Sequence, residues 1–92
     1  MSERLWSLYI LRCEGGTLYT GIAKDVEERF RKHVSGRGAR YTKAHKPVSV
    51  ECTLGGMTHG EALRVERMVK RMPRDKKIAW VKDTLAVFMI KE

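Results

Sequence analysis

Residues 7–22 read SLYILRCEGGTLYTGI, and the register adopted by this stretch decides the fold. Its first flank is rich in aromatic and aliphatic side chains, its second resumes β-prone residues, and Glu14-Gly15-Gly16 separates them, the signature of an antiparallel hairpin. A slip of one residue moves every side chain of a strand to the other face. With a three-residue loop at Glu14-Gly15-Gly16, Cys13 faces Thr17, Leu11 faces Tyr19 and Tyr9 faces Gly21. Tyr9 and Tyr19 then share one face as diagonal neighbours roughly 7–8 Å apart. A two-residue loop at Gly15-Gly16 instead puts them on opposite faces. In the first register Gly21 reads as structural, letting the backbone pass close to Tyr9.

Beyond the hairpin, Asp25-Val26-Glu27-Glu28 has the pattern of a capping box, and Val26, Phe30 and Val34 recur on one stripe of a helix. Arg29 and His33 share a neighbouring face. Residues 35–46, SGRGARYTKAHK, hold four Lys or Arg and no acid, predicting a loop or short irregular helix that presents its charge. Residues 48–54 predict a third strand, ended by Gly55-Gly56. Thr58-His59-Gly60-Glu61 is a second capping box; the helix after it turns Ala62, Val65, Val69 and Met72 to the core, with Glu66 and Lys70 on an adjoining stripe. Pro73 breaks that helix, residues 74–81 predict a shorter one, and from Lys82 the pattern fits an added strand or a continued helix equally. The fold class is α/β (α+β): a small three-stranded antiparallel sheet flanked by helices, order β-β-α-β-α-α, with the domain at residues 1–82 and a tail at 83–92.

The chain of 92 residues is predicted to form one domain with one site. Its 19 Lys and Arg against 11 Asp and Glu give a formal charge of +8, which favours polyanions through phosphate neutralisation and counterion release. Cys13 and Cys52 lack zinc-ligand spacing and read as reduced core thiols. The N-terminal stretch lacks the regions of a signal peptide and no apolar run reaches membrane-spanning length, so the expectation is a cytoplasmic protein without a membrane partner, a monomer or weak homodimer.

The blocks LYTGI, DVEERFRKH, SGRGARYT and EALRVERMVKR, in this order and spacing, resemble the GIY-YIG nuclease superfamily, and more closely its small single-domain bacterial branch, the UPF0213-like proteins. The resemblance covers residues 5–82. It implies a compact α/β domain that hydrolyses nucleic-acid phosphodiesters with one divalent metal ion. Tyr9 and Tyr19 fall on the two motif tyrosines, Arg29 on the helix arginine, Glu66 on the metal-binding carboxylate, and His33 where relatives carry Tyr or His near the scissile phosphate. Lys70 matches a lysine frequent in the small bacterial branch. Two departures stand out: Ser7 occupies the place of the first motif's glycine, and the chain has no Asn, the residue that often ends the third motif.

The chemistry of these side chains agrees with the resemblance. Attack on a phosphodiester needs an activated water, a cation against the phosphoryl oxygens and stabilisation of the leaving oxygen. Glu66 as sole carboxylate suits Mg²⁺ or Mn²⁺, ions that keep several waters and take other ligands from the substrate phosphate. Arg29 can fork two donors onto a phosphate. Tyr9 or Tyr19 is a candidate to orient or deprotonate the water, with His33 as competitor because imidazole titrates near neutral pH. Arg37, Arg40, Lys43 and Lys46 read as phosphate contacts, and Tyr41 as an aromatic that stacks on a base or packs on the sheet. Simpler roles exist for each: Arg29 paired with Asp25, Glu66 bridging Lys70, His33 as a cation at a helix C-terminus, and the basic residues as a solvated surface. The predicted function is a metal-dependent endonuclease acting on DNA, with RNA as the alternative polyanion, structure-selective or weakly specific and serving repair or nucleic-acid housekeeping. The alternatives are a binding module that cleaves slowly or not at all, and a protein adaptor using the apolar residues 85–90.

Overall fold

The computed structural model describes residues 3–90, with side chains described through residue 84. Two strands, β1 (Trp6–Cys13) and β2 (Leu18–Ala23), form the hairpin. Pairing runs Leu11↔Tyr19 and Tyr9↔Gly21, the register of the three-residue loop. That loop is a single tight turn over Glu14–Gly16, and Gly15 and Gly16 both hold φ near +80°, a region that non-glycine residues rarely enter. The Cys13 N–H donates to the Thr17 carbonyl at 2.8 Å and closes the turn. The glycine pair therefore fixes the register by backbone conformation.

A third strand, β3 (Pro47–Met57), pairs antiparallel with β1, giving the order β2-β1-β3 with β1 in the centre. The prediction that Gly55-Gly56 ends this strand is corrected: it runs through both glycines to Met57, which pairs with Trp6. Between Trp6↔Met57 and Leu8↔Leu54, β3 spends one residue more than β1, so the glycines sit in a bulge. Two further shifts, near Glu51 and Val48, bend the same strand.

Four helices complete the chain: α1 (Val26–Val34), α2 (Arg40–Ala44), α3 (His59–Lys70) and α4 (Arg74–Ile90). The order is thus β-β-α-α-β-α-α; the basic stretch forms a short helix between α1 and β3. Helix α4 also continues past Val81, so the ambiguous run from Lys82 is helical as far as residue 90. The side chains of residues 85–90, on which the adaptor reading rests, lie outside the described ones. Asp25 caps α1 by accepting from the Glu28 N–H at 3.0 Å, and Thr58 and Glu61 form the complete reciprocal box that starts α3.

The sheet has two covered faces. Leu8 and Ile10 of β1 point to one, where they pack with Leu54, Ala62, Val69 and Val81 from β3, α3 and α4. Side chains of this kind contribute about 1.5–3 kcal/mol each when fully buried. Tyr9, Leu11 and Cys13 alternate to the other face, against Ala23, Val26 and Phe30. On α1 the predicted stripe is corrected at its end. Val34 is 37% exposed, and His33, one residue earlier, is buried at 2%. A polar side chain thus takes the place nearest Tyr9. Both cysteines are free thiols, and burial pushes each above the ordinary range.

Candidate active site

On the β1 face that carries Tyr9, the strand register sets Tyr9 and Tyr19 side by side with ring centroids 6.3 Å apart. Helix α1 crosses above them and delivers Arg29 and His33 one turn apart. The His33 ring lies 6.0 Å from that of Tyr9 and 5.0 Å from that of Tyr19. The Tyr9 hydroxyl and His33 Nε2 are 2.8 Å apart, and His33 Nδ1 lies 2.8 Å from Thr42 Oγ1 of α2.

Two glycines make room for this cluster. A Cβ built on Gly21 comes within 2.5 Å of the Tyr9 hydroxyl, and one on Gly38 within 2.1 Å of His33 Nδ1. No side chain fits at either position unless the cluster moves. The close approach of Gly21 to Tyr9 is the one that the three-residue loop requires.

Electrostatics separate the two tyrosines. Tyr9 is 1% exposed, and burial foremost, then Tyr19 and Glu66, hold its phenol well above the ordinary range, with Arg29 pulling the other way. It therefore keeps its proton. Tyr19 is half-buried and lines a polar cleft of about 350 Å³ together with Arg29, Lys32, His33, Arg37 and Gly38. Among the described residues three cations and no carboxylate line this cleft, which matches a phosphate. His33 is held below its ordinary value by burial first and by the Arg29 charge second, so it is neutral at pH 7.

Glu66, on α3, does not line the cleft, yet its charge reaches Tyr9. It forms an i,i+4 ion pair with Lys70 at 3.2 Å, the simpler role foreseen for both residues. Among the described residues no three His, Cys, Asp or Glu side chains gather to hold a metal. A lone carboxylate still fits Mg²⁺ or Mn²⁺ when water and a substrate phosphate complete the shell. Of the other predicted contacts, Arg37 lines the cleft, while Arg40, Lys43 and Lys46 are exposed outside it. Tyr41 stacks on Tyr19 at 5.9 Å and on His45 at 4.5 Å, which leaves it 37% exposed. It extends a row of rings out of the cleft.

Lys32, Gly38 and Thr42 also belong to the site, and the sequence alone does not point to them. Lys32 reads as half of an i,i+4 pair with Glu28, and that pair forms at 3.5 Å. Gly38 and Thr42 carry no local signal, because their importance lies in what His33 does across the loop. A larger cavity of about 440 Å³ lies on the opposite side of the sheet, lined by Leu54, Met57, Val65 and Trp80 among others, and includes none of the predicted site residues.

Tyr9 and Tyr19 on adjacent strands, Arg29 and His33 of the following helix and Glu66 of a later one thus make up the candidate site. A family model described as the GIY-YIG catalytic domain matches residues 5–79. The chain belongs to the GIY-YIG family, a family of nucleases. It is 46% identical over 78 residues to a UPF0213 protein of Cupriavidus pinatubonensis, covering 85% of this chain and 87% of that protein. It is 43% identical over 76 residues to one from Xanthomonas axonopodis, covering 83% and 74% of the two chains. The solution NMR structure of a UPF0213 protein from Bacillus halodurans superposes with a TM-score of 0.51 at 40% identity, over 84% of this chain and 82% of that one. No helix among the described residues is long and apolar enough to cross a membrane.

Proposed function

We propose that this chain is a divalent-metal-dependent endonuclease that hydrolyses DNA phosphodiesters, structure-selective or weakly specific, in repair or nucleic-acid housekeeping. The observation that carries the reading is the cleft that joins Tyr19, Arg29, Lys32, His33 and Arg37 without a carboxylate in its lining. Arg29, Lys32 and Arg37 hold a phosphate there by charge-assisted hydrogen bonds. Tyr19, the half-buried phenol, orients the attacking water, while buried Tyr9 holds His33 in place. Glu66 is the residue for Mg²⁺ or Mn²⁺, which when bound supplies Lewis-acid stabilisation of the phosphoryl oxygens. Arg40, Tyr41, Lys43, Lys46 and Lys70 extend the surface along which flanking nucleotides lie.

Cleavage of labelled branched, nicked and single-stranded DNA with Mg²⁺ or Mn²⁺ tests the reading, with Glu66→Ala alongside. Cleavage by the wild-type chain that disappears in the variant is the expected result. No cleavage of any substrate, or equal cleavage by both proteins, overturns it. The second reading is a binding module of low activity, favoured by the ion pair that engages Glu66 with Lys70. Under that reading both proteins bind DNA equally and neither cuts.

A further inference from the structure

Three short contacts connect β1 to the loop beyond α1: Tyr9 hydroxyl to His33 Nε2, His33 Nδ1 to Thr42 Oγ1, and Thr42 Oγ1 to the Ala39 carbonyl, each 2.8 Å long. The chain ends on a carbonyl, which only accepts, and with Thr42 donating to it every hydrogen in the chain has one direction. Thr42 has one hydroxyl hydrogen and donates it to Ala39. Its oxygen must then accept from His33 Nδ1–H. A neutral imidazole carries one proton, so Nε2 is left as an acceptor, and Tyr9 donates to it.

The opposite tautomer is the one competitor. It lets the Ala39 N–H donate to Nδ1, but over 3.4 Å, beyond the usual range of an N–H hydrogen bond. It also leaves two oxygens, Thr42 Oγ1 and Ala39 O, facing each other at 2.8 Å with no hydrogen between them. Exchanging a 2.8 Å bond for a 3.4 Å one disfavours that arrangement. Thr42 is itself 2% exposed, so no solvent competes for its hydroxyl.

We infer that Thr42 is a positioning residue of the site: it locks His33 as the Nδ1–H tautomer, so that Nε2 takes the Tyr9 hydroxyl hydrogen and the loop bearing Arg37 is tied to the central strand. The lock settles two matters that the family resemblance leaves open. Both His33 nitrogens are engaged, so His33 is held as a wall of the cleft with no free lone pair for a water. The Tyr9 proton points at His33, so Tyr9 offers only its oxygen lone pairs to the site. Nuclease relevance of the lock rests on the function proposed above, whereas the tautomer does not.

The test is side-chain ¹⁵N NMR of His33 at pH 7.5 in the full chain, assigned with His33→Gln. Wild type is expected to show a protonated Nδ1 and an unprotonated, hydrogen-bonded Nε2. Thr42→Val removes the acceptor at nearly constant shape and is expected to shift the signals toward the Nε2–H tautomer, while Thr42→Ser restores the wild-type pattern. A wild-type spectrum of the Nε2–H form, or a Thr42→Val spectrum unchanged from wild type, overturns the inference. Should Thr42→Val not fold, Tyr9→Phe serves in its place: the Nε2 signal is expected to lose its hydrogen-bond shift while Nδ1 stays protonated, and an unmoved Nε2 signal overturns the inference. In cleavage assays Thr42→Val is expected to lower kcat at least tenfold at similar KM, with Thr42→Ser recovering most of it. A wild-type chain that cleaves nothing refutes the proposed nuclease and leaves the tautomer result standing.

Discussion

At the scale of single residues, His33 shows how position overrides chemical type. The sequence offers it as a site residue or as a surface cation ending a helix, and its burial makes it a neutral ring with both nitrogens engaged. Removing the Tyr9 hydroxyl strands a buried acceptor, so Tyr9→Phe is expected to lower stability by about 1–3 kcal/mol, measured by urea denaturation. Burial and Arg29 depress the His33 value below 6.5 in the folded protein. The unfolded chain then binds more protons in mild acid, so this contribution is complete above about pH 6.5 and declines as pH falls toward the folded value. Thermal scans from pH 7.5 to 5 are expected to show Tm falling in wild type and a flatter profile in His33→Gln. Glu51 and Glu61, both held below their ordinary value of 4.5 chiefly by hydrogen bonds to Arg12 and to the Thr58 backbone, add their losses only at lower pH. Gly38 makes the same point from the backbone side. Gly38→Ala is expected to displace His33 and to reduce both Tm and cleavage, whereas Lys43→Ala, at an exposed position of α2, is expected to leave stability within about 0.5 kcal/mol of wild type.

At the scale of elements, legibility followed how local the governing interaction is. Thr58 and Glu61 sit three apart and satisfy each other's backbone, so the start of α3 is visible in four letters. Thr58→Ala is expected to cost about 1 kcal/mol by chemical denaturation. Glu61 also pairs with Arg4 at 2.7 Å, a contact across the fold that no window of sequence reveals. The end of β3 escapes a local reading for the same reason. Gly55-Gly56 reads as a stop when only neighbours along the chain are considered, but Trp6 of the central strand offers Met57 a partner, and a bulge absorbs the surplus residue. Of the loop or short irregular helix expected for the basic stretch, the short helix α2 forms, and Thr42 turns inward to His33 and anchors it.

At the scale of the molecule, the formal charge of +8 is divided among surfaces of different use. Arg29, Lys32 and Arg37 converge on the cleft, while Arg40, Lys43 and Lys46 remain outside it. If the proposed function holds, DNA affinity falls linearly on a log-log plot against salt, and Arg37→Ala is expected to flatten that slope by about one unit. Fluorescence anisotropy of a labelled duplex between low and moderate salt measures it, and an unchanged slope places the phosphate elsewhere. The opposite face of the sheet keeps the larger apolar core, so the cleft can be altered with limited effect on the packing of Leu8, Ile10, Val69 and Val81.

The sequence by itself determined the hairpin, the two registers open to it and the capped start of α3, since each follows from residues within one turn of each other, whereas the turn over Glu14–Gly16 selected the register that puts Tyr9 and Tyr19 on one face. Ordered motif blocks likewise sufficed to indicate the family. Only the tertiary structure decided that Tyr9 is sealed and Tyr19 open, that His33 is neutral, and that Gly38 and Thr42 hold it. Burial and desolvation are sums over neighbours brought from distant parts of the chain, and no local pattern records them.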